Sequence, residues 1–371
     1  MSFALSNEII YLNHAAVSPW PVETANAVKQ FAEENQRYGA ANYPQWLLVE
    51  KELRSLAAWL LNAPTDESIA LLKNTSEALS VVAHGLNWKS GDNIVTFDNE
   101  FPSNRIPWQS LDTRGVDLRF IDPLATSNPE LALIEQCDNN TRLISVSSVQ
   151  YANGFCCNLE QIGTFCRDNG ILFCVDAIQS LGVIPLDVQQ IHADFVMADG
   201  HKWLMGPEGI ALFYCRPEIL NELELHQFGW HMVENRGDYT SKTWNPAPDS
   251  SRFECGSPNM LGIHGLTASL KHIKAMGIYA IRDRVLANTR LMIDLVNAND
   301  ALKLISVPDD QRLSGIITFS PKSGDIASLF QHLQQDKVIC ALRGGGIRFS
   351  PHYYNPLEEI EQAFRLVDNY L

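Results

Sequence analysis

Seven short, largely apolar runs, separated by stretches of helical periodicity, constrain this chain more than any other feature. The runs are Ile69–Leu72, Asn93–Phe97, Asp117–Ile121, Leu143–Val149, Ile171–Val175, Phe195–Ala198 and Ile210–Tyr214. Between and before them lie Val22–Arg37, Gln45–Leu61, Ser76–Leu86, Glu130–Cys137 and Leu159–Asn169, whose apolar residues recur at helical spacing. A strand that is apolar on both faces needs cover on both faces, and intervening helices supply it. The pattern therefore predicts an α/β fold with one large, mostly parallel sheet of seven strands. A chain of 371 residues is long enough for a second unit. Beyond Arg252 the texture changes to a long helical region, Met260–Ala298, interrupted at Gly277. Strand and helix patterns then alternate through Ser314–Ser320, Ile326–Gln335, Val338–Leu342, Gly346–Ser350 and Pro356–Tyr370. The expected organisation is a large domain over residues 21–277 and a smaller α+β domain formed by residues 1–20 and 278–371. The segment Tyr11–Ala16 is expected to pack between the two.

Charge narrows the partners. The formal net charge is −15, so a nucleic-acid partner, which needs a basic surface, is not expected, nor is a membrane surface. No apolar run of about 18 residues suggests a membrane span, and Met1–Glu8 carries no signal-peptide pattern. The eight cysteines lack C-x-x-C spacing and several fall within strand patterns, which fits reduced thiols and a cytoplasmic location. No pair of histidines at helical spacing accompanies an acid, so no metal site is expected.

Chemistry concentrates at the ends of the runs. Phe195–Ala198 leads through Asp199 into Gly200-His201-Lys202-Trp203-Leu204-Met205-Gly206-Pro207. A lysine at the end of a buried strand loses hydration, its amine becomes nucleophilic, and it can form a Schiff base with an aldehyde. The run Ile171–Val175 ends in Asp176, a carboxylate placed to pair with the pyridinium nitrogen of pyridoxal phosphate (PLP). Asn74-Thr75-Ser76-Glu77 follows another run and opens a helix, where free backbone N–H groups and hydroxyls can hold a phosphate. Each feature has a plainer explanation: a helix cap at Asn74, a capped turn after Asp176, a solvated lysine. Their joint occurrence at strand ends, where open α/β sheets bind ligands, favours the cofactor.

With these residues in hand, the chain resembles the class V aminotransferase family, PLP-dependent proteins of fold type I that include cysteine desulfurases, isopenicillin N epimerase-like proteins and kynureninase. The resemblance covers nearly the whole length. It is carried by Tyr11-Leu12-Asn13-His14-Ala15-Ala16, Asn74-Thr75-Ser76-Glu77 and Asp176-Ala177-Ile178-Gln179-Ser180. It continues through Gly200-His201-Lys202, Arg252-Phe253-Glu254-Cys255-Gly256-Ser257-Pro258-Asn259 and Arg348-Phe349-Ser350-Pro351-His352-Tyr353-Tyr354-Asn355. The resemblance implies that Lys202 carries the cofactor and moves protons, while Asp176 keeps the pyridine nitrogen protonated. Gln179 would bond the phenolic oxygen. Thr75, Ser76, His201 and, across a homodimer interface, Ser257 would hold the phosphate. Phe101 would stack on the ring. Arg348 would grip the carboxylate of an amino-acid substrate, a two-point geometry that suits arginine, with His14 and Tyr151 beside the substrate.

The chain also departs from the desulfurase pattern. Phe101 stands where desulfurases carry a histidine, and phenylalanine cannot transfer protons. Only Gly344-Gly345-Gly346-Ile347 separates Arg343 from Arg348, leaving no loop for a nucleophilic cysteine. Cys340 falls in an apolar strand pattern, the setting of a structural thiol, and the vicinal Cys156-Cys157 has no counterpart. Asp199 stands where relatives often have a phosphate-binding serine, and Tyr151 or Asn153 where they carry an asparagine. The expectation is an aminotransferase-like or isopenicillin N epimerase-like enzyme rather than a desulfurase. The alternatives are a PLP-dependent lyase and a catalytically silent binding protein. A nicotinamide dehydrogenase would need G-x-G-x-x-G after its first strand, which is missing.

Overall fold

A computed structural model describes residues 3–371. The described chain opens with a two-residue strand, β1 (Ile10–Tyr11), followed by helices α1 (Val22–Tyr38) and α2 (Tyr43–Leu61). Seven strands then build the main sheet: β2 (Ile69–Leu72), β3 (Asn93–Phe97), β4 (Asp117–Ile121), β5 (Thr141–Ser147), β6 (Leu172–Asp176), β7 (Phe195–Asp199) and β8 (Ala211–Cys215). Across the sheet they stand in the order β2-β8-β7-β6-β5-β3-β4. All adjacent pairs from β7 to β4 are parallel, and only β8 is reversed, antiparallel to both β7 and β2. The seven expected strands all form, with ends displaced by at most two residues.

The connecting helices are α3 (Thr75–Gly85), the short α4 (Ile106–Gln109), α5 (Pro129–Glu135) and α6 (Leu159–Asn169), and α7 (Met260–Met276) packs on α1 and α2. The inner strands are largely apolar because both of their faces are buried, whereas β4, at the edge, carries Asp117 and Arg119 and is partly exposed. Phe173 and Val175 of β6 point into one core, with Val196 of β7 and Leu266 of α7. Leu172 and Cys174 point into the opposite core, with Phe195, Met197 and residues of α3. Gly277, at φ +80°, ends α7 in a left-handed conformation that favours glycine and starts α8 (Ile278–Ala298).

The C-terminal part adds β9 (Leu302–Leu304), β10 (Ile317–Pro321), α9 (Ile326–Gln335), β11 (Val338–Ile339), β12 (Ala341–Arg343), β13 (Gly346–Phe349) and α10 (Leu357–Tyr370). Four of its strands form an antiparallel sheet in the order β12-β13-β10-β9, over a third apolar core. The expected single strand Val338–Leu342 is instead two. Cys340 separates β11, which pairs in parallel with β1, from β12, which pairs with β13.

The N-terminal segment lies where it ties the parts together. His14 N–H donates to Ser350 O, Ala15 O accepts from Gln179, and Ser18 N–H donates to His201 O. Trp203 is a second tie. Its indole N–H donates to Gln179 Oε1 at 2.9 Å, and its ring lies so close to Gly315, ahead of β10, that a Cβ there would come within 2.4 Å of it.

Candidate active site

The residues singled out above meet at the carboxyl edge of the main sheet, where β6 and β7 are neighbours. Lys202 sits in the loop that turns β7 back into the antiparallel β8. That loop is closed by Gly200 N–H to Ile210 O at 2.9 Å and Gly206 N–H to Gly200 O at 2.7 Å, and Met205 takes a left-handed φ of +55° to complete it. Lys202 is 9% exposed. Burial lowers its amine to about 8, and Arg348 and Arg343 push in the same direction while Asp176 opposes them. At neutrality the amine is still mostly protonated, but far more of it is free than of a solvated lysine, and the free form is the nucleophile.

Asp176 ends β6 and is 1% exposed. Its Oδ1 accepts from Ile178 N–H at 3.0 Å, so the carboxylate does cap the following turn, yet that bond engages only one oxygen. Burial raises its pKa, the buried Glu100 adds to the rise, and Lys202 opposes it. Glu100 was not expected from the sequence. It lies under the site and accepts from Ser147 N–H, the Ser147 hydroxyl, Gln150 Nε2 and Asn104 Nδ2, which offsets part of the cost of burying it. Gln179 is more occupied than expected: its Nε2 donates to Ala15 O and its Oε1 accepts from Trp203, leaving one N–H for a ligand.

The expected phosphate turn is the N-terminus of α3. Asn74 is a true cap, accepting from Glu77 N–H at 2.8 Å, while Glu77 reaches back to Lys73 N–H at 2.7 Å. Thr75 is buried and its Oγ1 has no partner; Ser76 is exposed and donates to Ser103, a hydroxyl the sequence reading passed over. His201 flanks this point, held neutral by burial and by Lys202 at about 4. Asp199 is not turned away: its carboxylate faces Thr75 and lies 3.9 Å from His201 Nδ1. Ser257 is exposed on the loop before α7.

The mouth is aromatic and cationic. The Lys202 Nζ lies 5.6 Å from the centroid of the Phe101 ring, and Phe101 meets Tyr151 edge to face at 5.1 Å. Arg348, on β13, is 2% exposed; its Nη1 donates to Tyr151 O at 2.7 Å and its Nε is buried without a partner. Burial and the neighbouring Arg343 lower it to about 10. The β12–β13 register puts Arg343 and Arg348 on one face of the smaller sheet, because Ala341 stands opposite Arg348 and side chains alternate along a strand. In the sequence Arg343 marked only the near end of the glycine-rich segment, with no role at the site.

One expected substrate contact needs correction. His14 is fully buried, its Nδ1 bonds Ser350 O at 2.8 Å and its Nε2 bonds the Tyr354 hydroxyl at 2.6 Å. Both ring nitrogens are spent on the fold, so His14 is a structural residue. Asn153 is likewise engaged, through Phe155 N–H, which leaves Tyr151 as the member of its turn that faces the site. Cys340 is buried, bonded by Gln334 and raised to about 12 by burial. Cys156 is raised to about 11 by burial and packs near Arg312, on the far side of that turn.

These residues fit PLP. A desolvated lysine, a buried carboxylate one strand away, a helix N-terminus with an unpartnered threonine hydroxyl and an aromatic face are the groups its aldehyde, ring nitrogen, phosphate and ring require. An arginine without an acid then fits the carboxylate of an amino acid.

The family model described as Aminotransferase class-V matches residues 10–362. A protein from Methanothermobacter thermautotrophicus named a probable cysteine desulfurase is 32% identical over 379 residues, covering 96% of this chain and 93% of that one. The apo structure of a cysteine desulfurase from Thermococcus onnurineus superposes with a TM-score of 0.88 at 27% identity, covering 98% of this chain and 95% of that one. A cystine C–S lyase in complex with its product, cysteine persulfide, gives a TM-score of 0.91 at 24% identity over 98% of each chain, a likeness of fold.

Proposed function

Because the chain belongs to the class-V aminotransferase family and is a PLP-dependent enzyme, we propose that it acts at the α-carbon of an α-amino acid, in the manner of an aminotransferase or an isopenicillin N epimerase-like enzyme. The observation that carries this reading is Arg348. A buried guanidinium with an unpartnered Nε–H and no carboxylate beside it is costly to the fold. An incoming α-carboxylate would supply the missing charge and hydrogen bonds.

When bound, the cofactor supplies an electron sink that makes the α-hydrogen acidic. Lys202 would be its point of attachment and, as a free amine, would take the α-proton and return it. Asp176 would keep the pyridine nitrogen protonated by pairing with it, the positive ring in turn favouring the ionised carboxylate that burial alone opposes. Thr75, Ser76 and His201 would hold the phosphate, and the remaining N–H of Gln179 would meet the phenolic oxygen. Phe101 would cover one ring face and exclude water there. With Tyr151 beside it, it would bound the substrate space. Ser257, exposed on its loop, would reach the phosphate of a second copy in a homodimer, and a cytoplasmic setting suits the eight free thiols. Among the described residues, no helix is long and apolar enough to cross a membrane.

A second reading is β-elimination from a sulfur-containing amino acid, favoured by the desulfurase relatives. A sulfur relay through a cysteine of this chain has little support, since the thiol nearest Arg348 in sequence, Cys340, is buried and protonated. A silent binding protein would have no use for an amine as readily deprotonated as that of Lys202.

The test is a panel of L-amino acids added to the PLP-loaded protein, with and without a 2-oxo acid acceptor, followed by absorbance and product analysis. The reading expects product formation in the wild type and none in Lys202→Ala, which lacks the amine that moves the α-proton. Products that require the acceptor indicate transamination, and D-amino acid indicates epimerisation. Sulfide with a 2-oxo acid, formed without acceptor, would establish the second reading instead. No response to any amino acid would overturn both.

A further inference from the structure

The anion site at the start of α3 is already shared with an acid. Asp199, the last residue of β7, is 9% exposed, and its Oδ1 is buried without a hydrogen-bond partner. Its other oxygen lies 3.9 Å from His201 Nδ1. The Thr75 amide and hydroxyl face it from α3, close enough to temper its charge though neither forms a bond of good geometry, and the Thr75 Oγ1 is itself an orphan. Two unsatisfied buried oxygens on facing elements, at a helix start that is a positive pole, mark space for a group that accepts from the Thr75 hydroxyl and shares a proton with Asp199 Oδ1.

The charges around Asp199 do not balance a carboxylate pressed against a phosphate. His201 is neutral. Lys202, the cation that acts on it among the described residues, is the residue that reacts with the cofactor. Glu208, across the lysine loop, and Asp176, on β6, both add negative charge. From α3 only Thr75 faces it, because Glu77 turns away to Lys73. A phosphate dianion bound here would meet a third acid with nothing to separate them.

We propose that Asp199 is a ligand of the cofactor phosphate in its neutral form, donating its carboxyl O–H to a phosphate oxygen, so that cofactor uptake carries one proton into the site. Burial already favours that form, raising Asp199 to about 6, and the phosphate charge favours it further. The proton comes from solvent, forms one O–H bond at the Asp199 carboxylate and is then held in the hydrogen bond to the phosphate; no other bond is made or broken. The inference rests on α3 as the phosphate site.

The experiment uses cofactor-free protein, wild type and Asp199→Asn, titrated with pyridoxine 5'-phosphate, which lacks the aldehyde and so removes lysine chemistry. Calorimetry at pH 6.0, 7.0 and 8.0, in buffers of different ionisation enthalpy, counts the protons taken up. The wild type is expected to take up about one proton more than Asp199→Asn at pH 8.0, and its Kd relative to the variant's to rise by up to about tenfold per pH unit above pH 6. Asp199→Ser, which also supplies a neutral donor, is expected to behave like Asp199→Asn and serves if the latter does not fold. Equal proton counts and a constant Kd ratio across this range would overturn the proposal, as would weaker binding by both variants at pH 8.0. Formation of the yellow complex with PLP in all three proteins is the control that separates this failure from failure of the cofactor reading.

Discussion

Lys202 Nζ stands 5.6 Å from the centroid of the Phe101 ring, over its face. A phenylalanine offers that amine a surface and no proton, and the nearby histidines do not change this. His14 is bonded at both nitrogens, and His352 is fully buried and held far below the usual histidine range by burial. Proton traffic at the site therefore falls to the lysine itself.

The pH dependence of Lys202 follows. Cofactor attachment needs the free amine, so its rate, measured by stopped-flow absorbance, should rise about tenfold per unit at low pH and level off near pH 8 rather than near the ordinary 10.5. Stability carries the same signature. Between about 8 and 10.5 the unfolded chain holds a proton that the folded chain has released. Cofactor-free wild type should therefore gain stability relative to Lys202→Met as pH rises through that window, by urea denaturation.

Arg348→Ala should weaken amino-acid binding by about 1.5–3 kcal/mol, the usual worth of hydrogen bonds to a charged group, without loss of the cofactor colour. Arg348→Lys should not restore the affinity, because an ammonium cannot make the two-point contact. The melting temperature should hold or rise, since the guanidinium has no partner acid in the fold. A steep fall in stability would show that the arginine is structural.

Cys340→Ala should leave turnover unchanged with every substrate found. The thiol is buried, its pKa is pushed to about 12, and its neighbour is Gln334 rather than the site. Loss of sulfide production in this variant, with folding intact, would assign it a role in sulfur transfer.

Arg54 makes the largest structural contrast. It bonds Glu50 at 2.6 Å and both oxygens of Glu254 at 2.6 and 2.7 Å, and all three side chains are nearly buried. Arg54→Ala should cost about 3–5 kcal/mol by denaturant unfolding, because two acids are left without their cation.

The sheet was legible because burial on both faces leaves a run of apolar residues that composition alone exposes. The break at Gly277 was legible because a left-handed turn has few occupants. Strands such as β1 and β9, of two and three residues, carry no periodicity to detect. At the site, Lys202 and Asp176 stood out as charged residues ending apolar runs. Glu100 did not, since its four donors come from Asn104, Ser147 and Gln150, the last two more than forty residues away. His14 misled for the same reason: the groups that absorb its ring lie on Ser350 and Tyr354, over three hundred residues downstream.

Trp203 works as a rivet between two plates. The residue next to the reactive amine is pinned to Gln179 on one side and seated against Gly315 on the other. A swing of the arginine-bearing sheet as one rigid plate would drag the lysine's own loop with it and spoil the alignment it was meant to improve. Adjustment to different guests therefore falls to small pieces at the rim, the half-exposed Phe101 ring and the Gly344-Gly345 hairpin. Those are the places where changes can retune what enters while leaving the reactive centre undisturbed.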